Sequence, residues 1–407
     1  MNSMRVERAY KTELDPTNEQ RTLFAKHAGV ARYIYNWGLA RRQEVYGTTG
    51  KSLSYYKQNL ELTKLKAEIP WLNEVSSQTS QGALQNLATA FHNFFEYIKK
   101  KKNGLKGLRK VGHPQFKTRK RGRGSFKLYG IIHVEKGQIQ LPKFGWIKLK
   151  EYKYLPCFGV KLVAITVSEK ADRWFVSMAC KRDIVVPRNK GPAVGVDLGL
   201  KTLAMLSDGT AFANPRPLRR MGRKIKRAQR VNARRVKGSN NRRKSARRLA
   251  RLYHRSACIR ADTIHKITSH IAKNHSLVAI EDLNVSGMMK NHCLAQALGD
   301  ASFAEFRRQL EYKCQWYGSR LVVIDRFYPS TKTCSRCGHV KEFIALSERV
   351  FQCEVCGLVE DRDLNASRSI LVAASKAETL NACGAGKAQA PVLKQEPATG
   401  QLVGAPG

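Results

Sequence analysis

The chain has 407 residues, room for two or three domains, and sets 74 Lys and Arg against 31 Asp and Glu, a formal net charge of +43. A fold this basic repels itself without an acidic partner, and nucleic acid is the polyanion that such a charge points to. An anionic membrane surface would demand an amphipathic anchor or an apolar run of about 18 residues; neither is found, and the opening MNSMRVERAYKTELDPT lacks the apolar stretch of a secretory signal.

Residues 4–14, MRVERAYKTEL, read as a short strand. DPTNEQ then starts a helix with Pro16, a Thr17 cap and Gln20 three positions on. Leu23, His27, Val30, Ile34 and Trp37 follow at helical spacing, and ALQNLATAFHNFFEYIKK repeats the pattern with Leu84, Leu87, Phe91, Phe94 and Ile98, so roughly 17–100 is a helical unit. Residues 99–127 carry thirteen Lys or Arg and no acid; with Gly, Pro and Phe116 among them they predict a mobile basic loop. GQIQLPKFGWIKLK and KLVAITVSEKADRWFVSMACK read as strands separated by turns, which makes the first half a small β-barrel carrying a helical insertion.

Near residue 190 the character changes. PAVGVDLGLKTLAMLSDGTAFA is strand, Gly turn, strand, Asp-Gly turn, strand. Residues 209–261 hold no acid, residues 211–260 contain 19 Lys or Arg, and good helix formers predict a long basic helical hairpin there. SLVAIEDLNV reads as a buried strand, SFAEFRRQLEYKCQWYGS as an amphipathic helix, RLVVIDRFYP as another strand and LNASRSILVAAS as a last helix. From residue 375 the chain is rich in Ala, Gly, Pro and Gln and is expected to be a disordered tail. Two acid-free basic runs on one chain favour salt-dependent binding to phosphates. The interleaved Phe116, Phe126, Tyr129 and Tyr253 suit either stacking on unpaired bases or core packing.

Cys334, Cys337, Cys353 and Cys356 read C-x2-C-x15-C-x2-C, the spacing of one tetrahedral four-thiolate zinc, closed and structural. Cys157, Cys180, Cys258, Cys293, Cys314 and Cys383 are scattered and read as free thiols in a reducing compartment. Lys332, Arg336 and Lys341 give the ribbon a basic surface that suits nucleic acid or plain solvent.

Three carboxylates stand at the edges of apolar elements. Asp197 follows Ala193–Val196 two residues before Gly199, Glu281 ends LVAI, and Asp363 heads the last helix within DRDLN. Lone carboxylates there are costly unless paired or bound to metal. Hard divalent cations take such oxygen ligands, and two of them activate water and stabilise a leaving oxygen. Each acid also has a plain structural reading: Asp197 as a turn residue, Glu281 as a partner of an arginine, Asp363 as a helix cap. Asp208, Asp282 and Asp361 lie close by, and the pattern favours Asp363 over Asp361 only weakly.

GVDLGL, IEDLNV and DRDLNAS resemble the three active-site motifs of RuvC-type nuclease domains with an RNase H-like fold. The chain as a whole resembles the TnpB proteins of bacterial insertion sequences, relatives of the type V CRISPR effector nucleases. The likeness runs through NEQ, ARYIYNWGLARR, IQLPKFGWIKLK, FRRQLEYKCQWYG, PSTKTCSRCG and DRDLNAS. It implies a multidomain protein of α/β and α+β class: a β-barrel wedge domain (1–16 and 126–188), a helical recognition domain with the basic loop (17–125), an RNase H-like RuvC domain (189–330 and 359–374) with an inserted zinc ribbon (331–358), and the tail (375–407). By the same resemblance Asp197, Glu281 and Asp363 bind catalytic magnesium as two ions, and the four cysteines bind one zinc. The partners implied are a guide RNA from the element end and target DNA, cut next to a short target-adjacent motif, in the prokaryotic cytoplasm at the nucleoid. WLNEVSSQTSQGALQNL resembles the helix facing that motif, which nominates Tyr55, Ser77 and Gln81, although relatives carry a Lys near Ser77. The expected activity is RNA-guided, metal-dependent DNA cleavage; a strand-joining transposase and a non-catalytic RNA-guided regulator are the alternatives.

Overall fold

The computed structural model describes residues 3–382, apart from 106, 107, 109, 120–123 and 346. The chain forms two compact units, Met1–Val186 with Met221–Ala257, and Pro187–Arg220 with Cys258–Gly407.

The first unit opens with β1 (Ser3–Asp15) and α1 (Asn18–Thr49). The helix start is the capping box read from the sequence: the Gln20 N–H donates to Thr17 Oγ1 at 3.3 Å, and the Thr17 N–H to Gln20 Oε1 at 3.0 Å. Then come α2 (Tyr55–Glu68), a 3-10 turn (Pro70–Asn73) and α3 (Ser77–Lys102). The basic stretch expected as loop from residue 99 is therefore helical through Lys102, because Lys is a good helix former and four cations at a helix C-terminus complement its dipole. Part of the remaining loop lies outside the described residues.

The strands β2 (Ser125–Leu128), β3 (His133–Val134), β4 (Gln138–Leu141), β5 (Gly145–Leu149), β6 (Lys161–Lys170) and β7 (Arg173–Val185) join β1 in a seven-stranded sheet. Its order is β2-β6-β7-β1-β5-β4-β3 with antiparallel pairs, and among the described residues no pairing joins β2 to β3. Phe24 of α1 seats against the sheet, 4.8 Å from the Phe144 ring and 5.0 Å from Trp174. Phe126, one of the aromatics in the basic run, is 1 % exposed and belongs to this core, since β2 alternates inward and outward.

The strands β8 (Ala193–Asp197), β9 (Thr202–Leu206) and β10 (Ala211–Ala213) lead into the helices α4 (Pro217–Arg234) and α5 (Asn240–Asn274), which form the expected basic hairpin. Gln229 donates to the Tyr253 hydroxyl at 2.8 Å and Ser245 to Asn232 Oδ1 at 2.8 Å, fastening the two helices together. The hairpin portion Met221–Ala257 clusters with the first unit.

The second unit continues with β11 (Leu277–Glu281), α6 (Val285–Met288), α7 (His292–Ala301), α8 (Phe303–Tyr317), β12 (Arg320–Ile324), β13 (Val350–Gln352), β14 (Val359–Asp361) and α9 (Arg362–Ala382). Its five-stranded sheet runs β10-β9-β8-β11-β12, with β8, β11 and β12 parallel and the outer two antiparallel. Val194, Val196, Val278 and Ile280 pack one face against Ile264, Ile271, Phe306 and Leu310. Ala279 and Ile324 meet Ile370 and Ala374 of α9. α9 runs to Ala382, into the stretch expected as tail; its Ala-rich continuation favours helix, and residues 383–407 lie outside the described residues.

Candidate active site and metal centre

Asp197 and Glu281 end neighbouring parallel strands, one residue past the paired Val196 and Ile280, so both acids emerge together from the carboxyl edge of the sheet. The third acid arrives on α9, which lies against β8. That approach depends on Gly195, where an added Cβ would stand 2.0 Å from Ser367 O. Gly195 pairs with Ala279 on β11, so the helix crosses the sheet over two small residues. Asp363 falls in the first turn of α9, where its charge complements the helix dipole.

The electrostatics record the convergence. Burial, then the charges of Glu281 and Asp363, push the Asp197 carboxyl up to about 7. Burial also raises Glu281, opposed by a hydrogen bond from the Ser330 hydroxyl to its Oε1. Among the described residues the oxygens of the three acids are not drawn into one tight cluster of the kind the four cysteine sulfurs form. Gly199 has a local explanation: a Cβ there would stand 2.8 Å from Thr202 O, so the turn itself demands glycine.

The neighbouring acids are otherwise engaged. Asp208 accepts from the Thr210 N–H at 2.8 Å within its turn. Asp282 pairs with Arg307 and Arg326, and the Arg307 hydrogen bond foremost holds its carboxyl below the usual carboxylate range. Asp361 caps α9, accepting from the N–H groups of Asp363 at 2.9 Å and Leu364 at 3.1 Å. The helix cap is thus Asp361, not Asp363, and the carboxylate of Asp363 is free of that duty. The buried Asp300 escaped sequence reading; it accepts from Leu218 N–H at 3.0 Å at the start of α4.

Cys334, Cys337, Cys353 and Cys356 hold their sulfurs within 4.8 Å of one another, a group able to bind one metal ion. Two matching turns present them. The Cys334 N–H donates to His339 O at 2.8 Å and the Cys353 N–H to Leu358 O at 2.8 Å, with Gly338 and Gly357 at positive φ (79° and 70°) closing each turn. The Cys356 and Val355 N–H groups favour the Cys353 thiolate, while the neighbouring sulfurs push the Cys337 and Cys356 thiols up, as close thiols do to one another. Four soft sulfur donors and no open position suit a closed zinc site. Lys332 and Lys341 donate within the ribbon, to Glu342 O at 2.7 Å and Gln352 O at 3.1 Å, while Arg336 is exposed.

In the first unit, Ser77 and Gln81 are exposed one turn apart on α3, and Tyr55 opens α2 at 39 % exposure. Two glutamines beside them were missed. Gln78 Oε1 accepts from the Tyr129 N–H at 2.8 Å and Gln85 Oε1 from the Tyr129 hydroxyl at 2.7 Å. Their spacing, one turn either side of Gln81 and Gly82, was the available signal. Among the described residues no helix is long and apolar enough to cross a membrane.

Residues 175–292 match the family model OrfB_IS605, described as "Probable transposase", and residues 303–370 match "Cas12f1-like, TNB domain". Residues 4–51 match a "Helix-turn-helix domain", where the structure has β1 and the single helix α1. A Streptomyces pristinaespiralis protein named "Putative RNA-guided DNA endonuclease" is 38% identical over 386 residues, 94% of this chain and 92% of that protein. Its Escherichia coli K12 counterpart with the added name InsQ is 33% identical over 96% of this chain and 97% of its own length. Among solved structures, "Structure of the mini-RNA-guided endonuclease CRISPR-Cas_phi3" shares 11% identity at a TM-score of 0.40, covering 91% of this chain and 92% of that one.

Proposed function

The chain belongs to the TnpB family, and from that premise we propose that it is an RNA-guided DNA endonuclease that cuts beside a short target-adjacent motif by metal-dependent phosphodiester hydrolysis. The observation carrying the site assignment is that Asp197 and Glu281 end neighbouring parallel strands while Asp363 opens the helix packed on β8; burial and the neighbouring Glu281 and Asp363 charges accordingly push the Asp197 carboxyl up to about 7. A carboxyl so destabilised as an anion is one that a cation restores to charge. Hard oxygen donors fit magnesium. Bound there, two magnesium ions would supply an activated water and stabilise the leaving oxygen.

The chain's own residues divide the remaining work. Asp197 and Glu281 would hold the ions from the carboxyl edge of the sheet, with Ser330 engaging one oxygen of Glu281. Asp363 completes the set from α9 because Asp361 has taken over the cap. We read the five-stranded sheet with α9 as the RNase H-like RuvC domain, and the seven-stranded sheet with α1–α3 as wedge and recognition parts. Tyr55, Ser77 and Gln81 are proposed to meet the target-adjacent motif. The basic surface of the α4–α5 hairpin suits the RNA and DNA phosphates, and the four-cysteine ribbon is proposed to carry one structural zinc. We place the protein in the prokaryotic cytoplasm, at the nucleoid.

Sequence choice would then rest on base pairing, the protein reading shape and a short motif. The test is a cleavage assay with two unrelated guides and both matching plasmids. The cut is expected to follow the guide, provided the adjacent motif is present. Cleavage at one site whatever the guide, full site-specific activity after RNase treatment, or RNA-independent joining of a donor end to target DNA would each reject the reading.

A further inference from the structure

The strap that leads from β12 into the four-cysteine ribbon touches Glu281 directly and the helix that carries Asp363. Ser330, 5 % exposed, donates its hydroxyl to Glu281 Oε1. Its own place is set by a tight turn: the Ser330 N–H donates to Tyr328 O at 2.9 Å, and the Thr333 N–H and hydroxyl both donate to Pro329 O, at 3.0 and 2.8 Å. Three residues on, the chain is gripped from α9. Asn365 is fully buried, its Oδ1 accepts from the Ser335 N–H at 2.9 Å, and its Nδ2 donates to Thr333 O at 2.9 Å. Those two groups lie on either side of Cys334. The amide therefore brackets a cysteine of the ribbon, from a helix position two residues beyond Asp363. Tyr328 adds a further tie to the same helix, its hydroxyl 2.9 Å from Ser369 Oγ.

A ligating carboxylate keeps its orientation through the partner of its other oxygen, and groups of that outer layer commonly tune metal affinity by 10–100-fold. From these contacts we propose that Ser330 and Asn365 are positioning residues through which the ribbon sets the acid site. Ser330 orients Glu281, and Asn365 locks the first turn of α9, hence Asp363, to the backbone around Cys334. The four cysteines then do more than hold a small lobe together: the order imposed at Cys334 is transmitted to two of the three acids. This inference rests on the reading of Asp197, Glu281 and Asp363 as a cation site.

The experiment uses full-length protein carrying its guide RNA and Mn2+ as the probe. Ser330→Ala is expected to retain one zinc per chain and bind its guide and target normally. It should bind Mn2+ about 10-fold more weakly than the parent, and need correspondingly more Mg2+ for half-maximal cleavage. Ser330→Thr, which restores the hydroxyl, should recover most of that loss. Asn365→Asp, nearly the same shape but unable to donate to Thr333 O, should weaken Mn2+ binding similarly, and it serves where Ser330→Ala does not fold. Unchanged Mn2+ binding in both variants would overturn the inference. A parent protein that cuts no DNA with any guide would count instead against the nuclease reading, and the Mn2+ comparison would still decide this one.

Discussion

Gly195 and Ser367 are in backbone contact: a Cβ on the strand residue would stand 2.0 Å from the carbonyl oxygen of the helix residue. Nothing flexible lies there to give way, since the nearest atoms also include the Leu371 N at 2.9 Å. Gly195→Ala should therefore push α9 off the sheet, costing about 2–3 kcal/mol as overpacking. Displacing Asp363 by even ~1 Å should reduce cleavage about 100-fold. Melting temperature and cleavage rate together check this; an alanine variant that cuts normally would show that α9 has slack.

The cap assignment separates two acids of one short motif. Asp363→Asn should abolish cleavage while guided DNA binding, read by gel shift, persists. Asp361→Ala should cost about 1 kcal/mol of stability through the lost cap and leave cleavage within about tenfold of the parent. Reversed outcomes would move the third ligand to Asp361.

Asp197 carries a stability cost in metal-free protein. Its carboxyl keeps a proton to about 7, where the ordinary value is 3.8. Between those values the unfolded chain releases the proton and the folded one retains it, so stability falls as pH rises through the window. Asp197→Asn should stabilise magnesium-free, zinc-loaded protein at pH 8 by on the order of 2–4 kcal/mol, seen as a higher melting temperature, and should abolish cutting. Melting curves of parent and variant at pH 5 and pH 8 give the comparison, and an Asp197→Asn difference from the parent that is the same at both pH values would contradict it.

Elemental analysis should find one zinc per chain. Cys353→Ser should lose it and lower both stability and cleavage, because binding at such a site is folding free energy. Soluble, active protein without zinc would dismiss the assignment.

His27 makes the opposite pH prediction in the first unit. Its Nδ1 lies 2.8 Å from Leu23 O and its Nε2 accepts from the Ser76 N–H at 3.1 Å, while burial foremost pushes its pKa down to about 4. The unfolded histidine protonates near 6.5 and the folded one resists until about 4, so stability falls as pH drops across that range. The cost is about 3 kcal/mol. His27→Asn should flatten the acid limb of the melting profile between pH 7 and 4.5.

What the sequence made legible was local or periodic. The Thr17–Gln20 box needs only four residues and stands as written. The strands and long helices followed from alternation and from apolar spacing. α2 falls within the helical unit expected over 17–100, but its own bounds were not legible because its buried positions are only Gln58 and Leu62, too few for a period. Gln58 is buried as a polar bridge, accepting from Arg42 Nε at 2.7 Å and donating to Gly38 O at 2.8 Å, a role no pattern of apolar residues reveals. The three acids and four cysteines were visible as residue types at element edges and at metal spacing. The cysteines' grouping was legible in their spacing; the packing that brings α9 and its acid to the sheet was not, because it depends on Gly195 and on Asn365, whose partners are far away in sequence. The choice between Asp361 and Asp363 also required the helix geometry, since either could cap.

The chain order of the acid site bears on how the protein is made. Asp197 and Glu281 leave the ribosome early, but α9, which carries Asp363, follows the whole cysteine ribbon. Any nascent or truncated chain that stops short of residue 363 lacks the third acid, and one that fails to form the ribbon lacks the clamp around Cys334. Premature fragments would already bear the most basic segments but, on the proposed reading, would be inert toward DNA. On the proposed reading, the acid site would be complete only after the ribbon that precedes the last helix has been made.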